Sequence, residues 1–170
     1  MKEVLTIGFV ATAISPYFSE EQQVRIKSEN HLKKIIAEYD AKLICFHKTI
    51  FSKEDSVEAE KFFKNKIDFL ILQTSSCSSG EQLYPLCNIT NKMGLWAVPD
   101  LEKEGDVKLH SLVSVSHYLG IIKKILHEKK IKTKWFYNYG DTDEFKNKFL
   151  ITLRSLVADK KIKQSKIGLV

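Results

Sequence analysis

Apolar runs of strand length alternate along this chain with longer stretches in which apolar residues recur at helical spacing. The first run, EVLTIGFVA at 3–11, has charge before it and a polar turn after it, the pattern of a strand covered on both faces. The next stretch, up to Asp40, carries Ser19 ahead of acidic residues as a helix start, with Val24, Leu32, Ile35, Ile36 and Tyr39 near helical spacing. The same order then recurs. AKLICFH (41–47) predicts a second strand, and 52–66 a helix opened by Ser52 with acids in its first turn. IDFLILQT (67–74) is the strongest strand pattern in the chain, followed by a shorter helix over 80–93 that Pro85 interrupts. GLWAVPD (94–100) predicts a fourth strand and 112–130 a helix. TKWFYNY (133–139) predicts a fifth strand, and 141–160 a helix whose Phe145, Phe149, Leu150, Leu153, Leu156 and Val157 share one face.

Five strand-helix units predict a three-layer α/β/α sandwich around a mostly parallel five-stranded sheet, Rossmann-like or flavodoxin-like, because each parallel pair needs a right-handed crossover. Residues 1–165 read as one α/β domain. The last residues, KIGLV at 166–170, repeat the pattern of LTIGFV near the start. They read as the first strand of a second domain or, alternatively, as an edge strand of this sheet. In such sheets ligands sit beyond the carboxyl ends of the strands, where the strand order reverses. Attention therefore goes to the loops after strands one, three and five.

Composition narrows the class. A chain of 170 residues, 44% hydrophobic and 11% aromatic, buries one sizeable core. No basic start leads into a long apolar core and a cleavage site, and VLTIGFVATAI is too short to span a bilayer. The chain reads as soluble and cytoplasmic. Its three cysteines, Cys45, Cys77 and Cys87, form no CxxC pair, which fits a reducing compartment. The net charge of +6 raises the question of nucleic acid, but the lysines are dispersed among Glu and Asp along helical patterns. A solvated polar face is the reading, without a nucleic-acid partner; the densest run is DKKIKQSK at 159–166.

Candidate chemistry concentrates in QTSSCSSGEQL, residues 73–83, at the end of the third strand. Small hydroxyl residues followed by Gly80 at a helix start can cradle an anion with backbone N–H groups, and the same groups suit a neutral polyol. The plainer alternative is a helix-capping turn. Cys77 as a nucleophile lacks both an arginine soon after it to hold phosphate and a neighbouring histidine to activate it. Cys87 reads as a packing thiol. The first loop has no GxGxxG, so a dinucleotide has little support, though Ser15 and Tyr17 can present hydroxyls; a tyrosine there can equally pack on its own helix. The five histidines are scattered and HExxH is absent, so no complete metal site is expected, and His117 reads as a packing or surface residue. In YGDTDE (139–144), Asp141 or Asp143 is expected to cap the following helix rather than to bind Mg²⁺.

The order TSSCSSGE, LWAVPD, GDVKLHSLVSVSHYL, FYNYGDTDEF and a long helix leading into KIGLV resembles the amino-terminal domain of the L-fucose isomerase and L-arabinose isomerase superfamily. The resemblance covers nearly the whole chain, and motif order and spacing carry it. It implies a metal-dependent aldose–ketose isomerase, usually with Mn²⁺, whose Glu, Asp and His ligands lie in later domains outside this sequence. It implies further that this domain lends substrate contacts to a neighbouring subunit's active site in a trimer or hexamer. Carried onto this chain, Ser15, Pro16 and Tyr17 of the first loop and Cys77, Ser78 and Ser79 of the third would face the sugar. No catalytic residue, metal ligand or cofactor is assigned to this chain itself. Three positions depart from the L-fucose enzymes. Cys77 stands where they carry a stacking aromatic, TAISPYF has no counterpart of their basic residue, and His110 stands where Asn is more usual. The substrate implied is a sugar other than L-fucose. The expected role is a substrate-positioning and oligomerisation domain, inactive alone. A stand-alone sugar- or phosphate-binding module and a purely structural oligomerisation domain are the competing readings.

Overall fold

The structure, a computed structural model, describes residues 4–14, 20–100 and 109–165. Five strands form one all-parallel sheet: β1 (Leu5–Thr12), β2 (Ala41–Cys45), β3 (Phe69–Thr74), β4 (Lys92–Ala97) and β5 (Lys132–Tyr137), in the spatial order β2-β1-β3-β4-β5. Between and after them run α1 (Glu20–Ala37), α2 (Lys53–Phe63), α3 (Gly80–Leu86), α4 (Ser111–Lys124) and α5 (Asp143–Gln164). The expected three-layer α/β/α architecture, flavodoxin-like in strand order, is what the chain forms.

Side-chain alternation along the strands sorts the core into two layers. Ile7, Phe9, Phe69, Ile71, Trp96 and Phe136 pack with α1 and α5. Val10, Leu70, Leu72, Met93 and Leu95 pack with α2, α3 and α4. The right-handed crossover rule explains the division. The one connection that runs leftward, β1 to β2, lays α1 on one face, and the three that run rightward lay their helices on the other. The strand order reverses between β1 and β3, and the ligand crevice of such sheets is expected beyond the carboxyl ends of these two strands. The first face is sealed by rings: Trp96 stacks on Phe145 with centroids 4.3 Å apart, and Phe149 lies 5.7 Å beyond.

Several element boundaries differ from the sequence expectation. Ser52 caps α2 as expected, its hydroxyl accepting from Asp55 N while the Asp55 carboxylate accepts from Ser52 N. The third helix ends at Leu86 rather than 93, and β4 begins at Lys92 rather than 94. There Thr90 donates to the Asp68 carbonyl (3.2 Å) and accepts from Lys92 N (3.3 Å), which draws the chain into the sheet early. The fourth helix stops at Lys124, followed by a 3-10 turn over His127–Lys129 and a left-handed Lys130 (φ 50°). Neither Asp141 nor Asp143 caps α5. Thr142 does, accepting from Phe145 N at 3.3 Å. The helix start at Ser19 and the strand at 166–170 lie outside the described residues. Among the described residues no helix is long and apolar enough to cross a membrane.

Candidate functional site

The crevice places the loop TSSCSS after β3 beside the end of β1. Backbone bonds fasten the two together: Ser75 N to Thr12 O at 2.9 Å and Ile14 N to Cys77 O at 2.6 Å. Ala13 N reaches Ile50 O at 3.0 Å and brings in the loop after β2. The loop after β3 is thus tied to the chain leaving β1, which is tied in turn to the segment after β2.

Beneath this surface lies a buried network of neutral polar groups. Thr74 and Ser111 exchange bonds: the Thr74 hydroxyl donates to the Ser111 carbonyl (2.8 Å), and the Ser111 hydroxyl donates to the Thr74 carbonyl while accepting from Val98 N (2.9 Å). Ser78 N donates to the Ser114 hydroxyl (2.8 Å), and the Ser78 hydroxyl donates to Thr12 Oγ1 (2.9 Å). Gln73 donates to Ser28 of α1 (2.5 Å) and accepts from Ser75 (3.2 Å). Gln82 accepts from Ser79 N (3.0 Å) and donates to the Ala13 carbonyl (2.8 Å), so it clamps both loops from α3. Tyr118 donates to the Ser79 carbonyl at 3.2 Å, and burial pushes its phenol up to about 12.

The network bears on the two ligand classes that the loop's composition allowed. The N–H groups of Ser78 and Ser79, which an anion cradle would need, are already bonded within the protein. Helix α3 is only seven residues long, with Glu81 in its first turn, so its amino end adds little positive field. Both arginines of the chain are engaged elsewhere. Arg25 pairs with Glu29 at 2.9 Å and Arg154 meets Tyr39 at 3.3 Å. Among the described residues, the loop after β3 is thus held by neutral hydroxyl and amide groups, and its Ser78 and Ser79 amides are engaged within the protein.

The sequence-predicted residues divide by position. Ser79 is exposed and Cys77 half-buried at the mouth of the crevice, whereas Ser78 is only 6% exposed and turned inward onto Thr12. Ser78 thus holds the loop, and Cys77 and Ser79 are the more accessible of the three. Ser15, Pro16 and Tyr17 lie outside the described residues. Cys87 is buried, as a packing thiol should be, and burial pushes the Cys45 and Cys87 thiols up to about 12. His117 is exposed, and its Nε2 lies 3.2 Å from where a Cβ on Gly80 would stand. His110 takes a left-handed conformation (φ 51°) ahead of α4. Among the described residues no three His, Cys, Asp or Glu side chains converge to hold a metal ion.

Sequence reasoning missed Thr12, Gln82, Ser111, Ser114 and Tyr118. The signal was present: Ser111, Ser114 and Tyr118 fall at helical spacing on the same buried face as Val115, polar residues on an apolar stripe. Around the mouth stand apolar side chains left in solvent, Ile14 (40% exposed), Phe51 (37%), Leu112 (45%) and Val113 (60%). No known family model matches the chain, and no curated protein matches it in sequence.

Proposed function

We propose that this chain is the substrate-positioning domain of a metal-dependent sugar-isomerase-like enzyme, presenting a neutral polyhydroxylated ligand to chemistry carried elsewhere. The observation that carries the reading is the neutral, internally bonded loop at the reversal of strand order, with Cys77 and Ser79 at its surface. The motif order that resembles the L-fucose and L-arabinose isomerases supports it. Aldose–ketose isomerisation needs an electrophile to polarise the carbonyl and a base to move the proton. The hydroxyls, amides and single thiol gathered here include no carboxylate or imidazole, the ligands that the resemblance places in later domains. The reading therefore assigns Mn²⁺ or a similar metal to another domain, and to this chain binding and orientation. The exposed apolar side chains around the mouth support docking against a neighbouring subunit, with trimer or hexamer as the proposed assembly.

The test uses the protein alone with Mn²⁺ and a panel of aldohexoses and aldopentoses. No ketose should form, and the sugar that fits should slow alkylation of Cys77 by iodoacetamide at millimolar concentration. Turnover by this chain alone would sink the proposal. Failure of every sugar to protect Cys77 would remove the positioning role. A thermal shift that saturates at micromolar sugar would favour the stand-alone binding module instead.

A further inference from the structure

The far edge of the sheet is built differently from the crevice. Strand β5 pairs with β4 on one side only. Lys132 N bonds Asn91 O at 2.8 Å, so Lys132, Lys134 and Phe136 turn their main-chain groups toward β4, while Thr133, Trp135 and Tyr137 turn theirs outward. The outward edge is bare among the described residues. Trp135 is 46% exposed and Tyr137 36%.

Charge around this edge is one-sided. A groove of about 400 Å³ between β5 and α5 is lined by Lys92, Lys132, Lys134 and Lys163 against a single acid, Asp159. Asp159 is already held by Lys92 (2.6 Å) and Lys163 (2.9 Å). Lys148 lies over the Trp135 ring, its Nζ 3.8 Å from the centroid. Burial, and then the neighbouring Lys134, hold the Lys148 ammonium below its ordinary value. Lys132, Lys134 and Lys148 have no carboxylate partner among the described residues. Lysines on an edge strand do deter pairing with another copy, since two β5 strands would oppose lysine to lysine. Deterrence alone does not call for an exposed tryptophan beneath a lysine. Together, open amides, uncompensated cations and exposed rings match one kind of occupant.

We propose that the open edge of β5, flanked by Lys132, Lys134, Lys148 and Trp135, docks an extended acidic peptide segment of a partner protein, which adds to the sheet as a sixth strand. Main-chain bonds to Thr133, Trp135 and Tyr137 give the pairing, and the lysines select acidic side chains.

The experiment titrates the whole chain with a fluorescein-labelled peptide of alternating glutamate and valine, read by anisotropy and by tryptophan emission. Trp96 is buried and Trp135 exposed, so the emission change reports on the edge. Saturable binding is expected, with loss of affinity of about tenfold or more when alternate peptide amides are N-methylated or when Lys134→Glu and Lys148→Glu are combined. Lys134→Arg should retain binding, and circular dichroism of each variant checks that the fold survives. The proposal is overturned if the N-methylated peptide binds as tightly as its parent, or if an oligothymidylate binds more tightly than the peptide, since either outcome makes this a general polyanion surface. Absence of saturable binding, or a dimer in light scattering that Trp135→Ser abolishes, overturns it equally.

Discussion

The two ends of the sheet are fastened by different chemistry. At the carboxyl ends of β1 and β3 the chain closes with neutral groups in a dry interior: Thr12, Thr74, Ser78, Ser111 and Ser114 bond one another or nearby main chain, and all are buried. At the amino ends it closes with lysines and carboxylates at the water's edge. Asp68 accepts from Thr6 N (2.8 Å) and from Lys160 (2.7 Å), and Asp159 is held between Lys92 and Lys163. Neutral bonds act at short range and ignore salt, so they fix the position of the loop. Exposed ion pairs are screened and fix little. The end at which the proposed ligand would sit carries the first kind.

Three substitutions test the contrast. Ser111→Ala removes the acceptor of Val98 N and the donor to the Thr74 carbonyl in a buried setting, a loss of about 2–3 kcal/mol in urea unfolding, equal at low and high salt. Asp68→Ala strips Thr6 N of its acceptor and Lys160 of one partner at a half-exposed site, for a loss of about 1 kcal/mol that shrinks as salt is added. If Asp68→Ala proves the more costly of the two, the contrast fails. Asp159→Asn should have the smallest effect, and it vanishes in high salt. Hydrogen bonds from Lys92 and then Lys163 hold the Asp159 carboxyl down at about 2 in the folded chain. Its stabilising contribution is therefore present above pH 4 and is lost as pH falls toward 2, so the stability difference between wild type and Asp159→Asn should close over that window.

How much of this was legible beforehand follows from the range of each interaction. Strand-helix alternation is local, and the apolar runs from 67–74 and 3–11 marked their strands directly. Ser52 with Asp55 three residues on is a local pair, and it capped α2 as expected. The start of β4 at Lys92 was hidden because it depends on Thr90 meeting Asp68. Thr142 displaced Asp141 and Asp143 as cap of α5, since all three are competent cap residues and only the turn geometry chooses among them. The serine loop stands at the carboxyl end of β3 as expected, but its composition could not show which hydroxyls face solvent. The partner of Ser78 is Thr12, on another strand, and no pattern within the loop announces it.

The bond from Ser78 N to the buried Ser114 hydroxyl has a consequence for motion. Binding loops often order themselves around a ligand, and part of the interaction energy is then absorbed by the ordering. Here the amides of Ser78 and Ser79 are held before any ligand arrives. In hydrogen–deuterium exchange they should be slow in the free protein, grouped with the amides of β3 rather than with those of surface turns, and addition of ligand should leave their rates unchanged.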